Sequence, residues 1–156
     1  MNSVNWEETR REWFQEMTKL GIERFDQAHE HLMDLILEIN RALTGLSAPE
    51  AGEEGWLILL NLAKQLEIYG CGLFASEEES MREERYPELR QHKMAHQKLS
   101  ANLTRFRRRV AVKDLVYCQN TAMELKNALF DHIRQLDVNY VPFFRHRERP
   151  HLGPYF

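Results

Sequence analysis

A chain of 156 residues with 21 basic against 24 acidic side chains and a formal net charge of −3 suits one domain, and it sets up no field that would draw in nucleic acid or an anionic membrane. At this length about 70% of the surface of the unfolded chain is buried on folding, so a single core is expected. No stretch approaches the ~18 apolar residues of a spanning helix. Asn2, Asn5, Glu7 and Glu8 leave no room for a signal peptide's apolar segment, and Cys71 and Cys118 form no CxxC pair, so a cytoplasmic protein with reduced thiols is expected.

In chain order, an arm over residues 1–24 precedes the first periodic segment. Leu32, Leu35, Ile36, Ile39 and Leu43 recur at three- and four-residue spacing, which predicts a helix from about Asp26 to Leu43, ended by Gly45 and the Ser47 to Gly55 stretch. A second helix is predicted from Trp56 to about Glu84, with Leu59, Leu60, Ala63, Leu66, Tyr69 and Leu73 inward and the Glu78, Glu79, Glu83 and Glu84 carboxylates as a solvated face. Tyr86-Pro87 closes it, because proline restrains the residue before it and suits a following first turn. Leu89, His92, His96, Leu99, Leu103 and Phe106 mark a third helix, whose end carries Arg107, Arg108 and Arg109 in solvent. A fourth runs from about Val112 to Leu136 on Leu115, Met123, Leu125, Leu129, Ile133 and Leu136. No strand alternation of any length is present. Short connections make successive helices antiparallel neighbours, so the expected fold is all-α, an up-down-up-down four-helix bundle over 25–137 with an N-terminal arm and a C-terminal tail over 138–156, forming one domain.

His29, Glu77, His92, His96, His132 and Asp137 carry the chemistry. His92 and His96 lie four apart, on one helix face, so both imidazoles can point at one ion. His132 and Asp137 are five apart, about 140° around a regular helix, which suits two groups approaching a pair of ions. Glu77 and His29 complete contributions from all four helices. Cations would neutralise the buried carboxylates, and the mixed imidazole and carboxylate set suits iron or manganese, with zinc also admitted. His31, His146 and His151 read as ordinary surface or packing histidines.

These spacings resemble the hemerythrin family, in particular its single-domain bacterial members. Trp13, Leu20-Gly21-Ile22 and Phe25 to His29 look like the family's arm and first ligand motif. Phe74, Glu77-Glu78 and Met81 resemble the second, Tyr86 to Leu89 with His92 to His96 the third, and His132-Ile133 with Asp137 and Tyr140 the fourth. The resemblance implies two iron ions joined by an oxo or hydroxo bridge. His92, His96 and His132 would hold one, His29 would be a terminal ligand of the other, and Glu77 and Asp137 would bridge them.

Two departures fall at this site. Family members have histidine where Leu73 stands and commonly tryptophan where Ala128 stands, so the second iron keeps one protein imidazole and its occupancy is left open. Gly70 and Gly72 are expected to add space beside the pocket, Leu129 to keep it dry, Cys71 to face elsewhere, and Tyr69 to be tested as a substitute ligand against water or an anion. The first functional reading is a protein that binds dioxygen or nitric oxide, for oxygen binding, storage or sensing, at an under-ligated diiron site. The alternatives are a diiron oxidase or peroxide-reacting enzyme, and a mono-metal storage or sensing module. The state expected is a monomer or weak dimer, with the aromatic-bearing tail, Val141 to Phe144 and then His146 to Phe156, packed on the outside of the bundle or serving as a dimer contact or docking site.

Overall fold

Asn5 begins the first helix: its side-chain oxygen accepts the backbone N–H of Glu8 at 3.2 Å, and Glu7 and Glu8 sit in the first turn, where acidic groups favour a helix N-terminus. The computed structural model describes residues 3–48 and 52–144, which are helices joined by turns with no strand among them. The helices are α1 (Trp6–Glu16), α2 (Glu23–Leu46), α3 (Gly52–Glu83), α4 (Leu89–Ala111) and α5 (Leu115–His132). A π-helical turn over Ile133–Asp137, a short α6 (Val138–Tyr140) and a 3-10 turn over Val141–Phe143 follow.

The arm is therefore partly helical, and α1 is pinned down by polar and aromatic contacts. Arg10 pairs with Asp34 at 2.7 Å and Glu30 at 3.0 Å on α2. Buried Trp13 meets Phe130 edge-on at 6.4 Å, and Lys126 extends over both rings to Glu16 at 2.6 Å. Lys126 is buried, and its pairing with one carboxylate and two ring faces offsets the loss of water. Between α1 and α2 the Asp26 carboxylate accepts the N–H groups of Leu20 and Gly21, and Gly21 takes a left-handed φ of 79° that suits glycine.

The periodic stripes pack inward as expected, with Leu32, Ile36, Ile39, Leu59, Leu66, Leu73, Phe106 and Ile133 buried. α2 and α3 each start a few residues earlier than the sequence indicated. The last turn between helices sits at Val112 to Asp114, where Lys113 has a φ of 57° and the Asp114 side chain caps α5 through the Tyr117 N–H. Val112 thus ends α4 and does not begin the last helix. Met123, expected in the core, is 46% exposed, because Ala122, Leu125, Lys126 and Leu129 form the inward face of α5. α3 packs against α2 and α4, and α5 packs against the same two helices, which makes a helical bundle.

The expectation that no segment is apolar enough to span a membrane needs correcting. Within α3 an 18-residue window has a mean hydropathy of 1.2 with at most two charged side chains. That composition comes from a core face plus exposed Leu57, Ile58 and Ile68, and the same helix carries the buried Glu77. Tyr140 is buried, and Phe144 packs edge-on to it at 5.9 Å and to Phe25 at 6.2 Å, so residues up to 144 pack on the bundle. The expectations for His146, His151 and the tail beyond 144 lie outside the described residues.

Neither helical glycine opens space in the way expected. A Cβ on Gly70 would stand 2.9 Å from Leu103 Cδ1, so the bare α-carbon is already filled by a neighbour, whereas Gly72 faces outward with nothing within 4 Å. Gly72→Ala should therefore raise stability by roughly 0.5–1 kcal/mol through helix propensity. Gly70→Ala should gain less, because Leu103 must move. Chemical denaturation of the two variants side by side checks the order.

Candidate metal centre

Each of the six candidate residues sits on the inward stripe of its element and is buried: His29 on α2, Glu77 on α3, His92 and His96 on α4, His132 at the end of α5 and Asp137 in the π turn. Glu77, His92, His96, His132 and Asp137 offer ligand atoms that all lie within 4.8 Å of one another. His29 stands across the two carboxylates from that group, its Nε2 at 2.9 Å from Glu77 Oε1 and 3.3 Å from Asp137 Oδ2.

The π turn is the device that brings Asp137 into place. Residues five apart on a regular α-helix diverge by about 140°, but bonds from i to i+5 turn them back to one side. Here the Val138 N–H bonds to the Ile133 carbonyl, and Asp137 Oδ1 lies 3.0 Å from His132 Nε2. Nothing in the local sequence announces this extra residue.

The two carboxylates divide their oxygens in the same way. Glu77 turns Oε1 to His29 and Oε2 to His96 at 3.1 Å and His92 at 3.9 Å. Asp137 turns Oδ2 to His29 and Oδ1 to His92 and His132, each at 3.0 Å. One side of the pair thus faces one imidazole and the other faces three.

Several of these atoms lack hydrogen-bond geometry although they are buried. Glu77 Oε2, His96 Nε2, both Asp137 oxygens and His29 Nδ1 meet no partner, while His92 Nε2 and His132 Nε2 face each other at 3.3 Å. Buried polar atoms without partners are costly and rare. A cation between imidazole nitrogens and carboxylate oxygens would satisfy four of the five, so the residues present fit a metal site. Without metal the cluster balances itself by proton sharing. Burial opposes a charge on His29 and His92, yet the Asp137 and Glu77 carboxylates that face them raise them to about 10 and about 9. Burial and mutual repulsion oppose ionisation of Glu77, yet the surrounding imidazoles hold it at about 2, and Asp137 is likewise held well below its usual range.

The surroundings add groups that the sequence reading missed. Glu78, expected on a solvated face, is half-buried with Oε1 at 2.8 Å from His96 Nδ1. With Nδ1–H donating to Glu78, the lone pair of Nε2 faces the cluster. Phe74 stacks on the other face of that imidazole system, 4.4 Å from the His96 ring at 16°. One turn beyond Glu77, Ser80 Oγ lies 2.6 Å from Tyr140 Oη and accepts from Arg24 at 3.2 Å, which ties α2, α3 and α6 together behind the carboxylates. The advance signal for these was the position of Phe74, Glu78 and Tyr140 in the motifs.

Leu73 is fully buried one turn before Glu77 and brings no donor atom. Tyr69 lies against the exposed His31 ring at 4.3 Å, at the seam with α2, and Cys71 is exposed beside Ser100 at 3.7 Å, so neither is positioned to replace an imidazole.

A family model described as the hemerythrin HHE cation binding domain matches residues 20–144. Over 127 residues the chain is 27% identical to the bacteriohemerythrin of Stenotrophomonas maltophilia (strain R551-3), a match that covers 81% of this chain and 77% of that protein. No solved structure matches.

Two measurements follow from the geometry. His29 and His92 are raised above the ordinary imidazole value of 6.5, so in chelator-stripped protein their pairing stabilises fully below about pH 6.5 and is lost as the pH rises through 9 and 10. The lowered carboxylates contribute stability above about pH 4.5 that is lost as the pH falls toward 2. Metal displaces the imidazole protons, so metal-loaded protein should instead gain in melting temperature between about pH 5 and 7. Separately, Glu78→Gln should weaken metal binding by about 10–100-fold in a chelator competition while helix content stays unchanged.

Proposed function

The chain belongs to the hemerythrin family, and from that premise we propose that it is a non-haem diiron carboxylate protein that binds dioxygen or nitric oxide. The observation that carries this reading is the division of the two carboxylates between His29 on one side and His92, His96 and His132 on the other. His92, His96 and His132 would hold one iron, His29 would be the terminal protein ligand of the second, and Glu77 and Asp137 would bridge the two. Such a pair, when bound, supplies electrons and an open coordination position for a small diatomic ligand. The chain's own part is to fix the ligand atoms and to keep water and proton donors out. Burial of all six side chains, Phe74 against His96 and the wholly apolar Leu73 do this. On this reading α2 to α5 run up, down, up and down as one domain. The ring of contacts from α2 through α3, α4 and α5 back to α2, with a turn of a few residues between α3 and α4 and between α4 and α5, supports it.

Leu73 favours a second reading in one respect. With one imidazole on the His29 side, that position is less fully ligated and would admit an exogenous ligand or a reductant, as an oxidase or peroxide-reacting enzyme requires. The two readings part in solution. Reversible binding predicts a visible absorption band that forms on aeration of the ferrous protein and fades when oxygen is removed. Oxidation within seconds that removing oxygen does not reverse, or repeated consumption of hydrogen peroxide, would instead make it an enzyme. Leu73→His should lengthen the lifetime of the oxygenated form, and an unchanged lifetime would mean that Leu73 is not what sets the behaviour of the site.

A further inference from the structure

Charge is unevenly placed along this chain. α4 holds seven of the 21 basic side chains and none of the 24 acidic ones, so the rest of the chain sets 14 basic against 24 acidic groups. A net charge of −3 thus conceals a basic helix on an acidic body.

Helical spacing gathers the basic groups on one side. Arg90, Met94, Lys98, Ala101, Arg105 and Arg108 recur three or four residues apart and are all exposed, opposite the buried stripe of His92, His96, Leu103 and Phe106. At 1.5 Å per residue they span about 27 Å along the helix axis. Two neighbouring arginines are compensated within the fold: Arg107 pairs with Glu67 on α3, and Arg109 with Asp114 at 3.2 Å. Arg90, Lys98, Arg105 and Arg108 meet no carboxylate at ion-pair distance among the described residues, and Arg105 bonds Asn102 of its own helix at 3.5 Å. Between Arg90 and Lys98, Met94 is 53% exposed.

Cations around an exposed methionine match the composition of a contact surface, where Arg and Met are enriched. The acidic body narrows the choice of partner. A long polyanion such as nucleic acid, or an anionic membrane, would also face that body and be repelled by it, whereas a compact acidic protein can meet α4 alone. The place of α4 in the fold narrows the choice again, because this is the one helix that brings two of the candidate ligands, His92 and His96, to the metal cluster. A partner on its outer face is separated from those imidazoles by about one helix diameter, roughly 10 Å.

We propose that the outer face of α4 docks an acidic one-electron carrier protein, held by Arg90, Lys98, Arg105 and Arg108 around Met94. The surface rests on charge and exposure; the partner's role as electron donor rests on the diiron reading above. In each encounter the carrier is oxidised by one electron, which takes one ferric ion to ferrous, and no bond forms or breaks on this chain. Contacts of this kind are small and short-lived, which suits a face whose charges stay partly solvated.

Calorimetric titration of the full-length purified protein with an acidic plant-type [2Fe–2S] ferredoxin tests the surface. Binding is expected at about 20 mM salt, with a loss of at least about tenfold by about 200 mM. The double variant Arg105→Glu/Arg108→Glu should weaken it by at least about tenfold, whereas Arg11→Glu, an exposed charge reversal on α1, should stay within about twofold. Carbodiimide should cross-link Lys98 to a carboxylate of the carrier. No binding at low salt, an equal loss in Arg11→Glu, or equally tight binding of an acidic protein of similar charge without a redox centre would overturn the proposal. Tighter binding of a DNA duplex to the same face would overturn it too, as would self-association that the double variant abolishes, since the occupant would then be a polyanion or a second copy. Iron content of the same samples separates the two claims: two irons with no α4 contact removes the docking surface alone, and an intact α4 contact with fewer than two irons removes the diiron reading alone.

Discussion

Two carboxylates buried side by side are the constraint on which the rest of this structure depends. Glu77 and Asp137 are each 2% exposed in the middle of a helical bundle, and each opposes the other's ionisation. Left alone, such a pair would protonate or pull water into the core. The fold answers with four imidazoles, one from α2, two from α4 and one from α5, so that every helix packed around the pair carries part of the compensation. In metal-free protein that compensation is proton sharing, and it leaves buried oxygens and nitrogens without hydrogen-bond partners. Metal cations among the same atoms would satisfy the carboxylates more completely, which is why the geometry reads as a candidate metal site rather than as a buried ion-pair network.

Holding six candidate ligand side chains in place takes more than six residues. The π turn rotates Asp137 onto the side of His132, at the expense of regular α-helical bonding in the last stretch of α5. Glu78 orients His96 from outside, Phe74 limits its ring from one face, and the Arg24, Ser80 and Tyr140 hydrogen bonds join α2, α3 and α6 one turn beyond the carboxylates. α1 then covers α2 and α5 through Arg10, Trp13 and the buried Lys126. These contacts bear on the candidate metal site as much as the ligating side chains would, because metal affinity responds to the groups that hold the ligands.

Much of this was legible in the chain because histidine and acidic residues on apolar helical stripes are anomalous, and six such anomalies on four stripes converge. The long helices were likewise readable from their three- and four-residue periodicity, with boundaries off by a few residues where caps such as Asp114 act through local hydrogen bonds. Other features could not be read. The π turn depends on tertiary demand at Asp137 and has no local signature. Glu78 follows Glu77 in a run of acids that looks solvated, and only the approach of α4 shows that it meets His96. Gly70 suggested open space, but a glycine in a packed helix marks either a void or a close neighbour, and here Leu103 is the neighbour.

Leu73 makes the His29 side of the cluster the part on which the functional reading turns. If Glu77 and Asp137 are bridges, both sides of the pair must fill even with a single imidazole on one of them. The most direct measurement is the iron-to-protein ratio of anaerobically reconstituted protein after removal of loose metal, compared with the same ratio for His29→Ala. The account predicts two irons per chain in the wild-type protein and one in the variant. One iron per chain in both, however much iron is supplied, would contradict it and leave the three-imidazole side as the whole of the site.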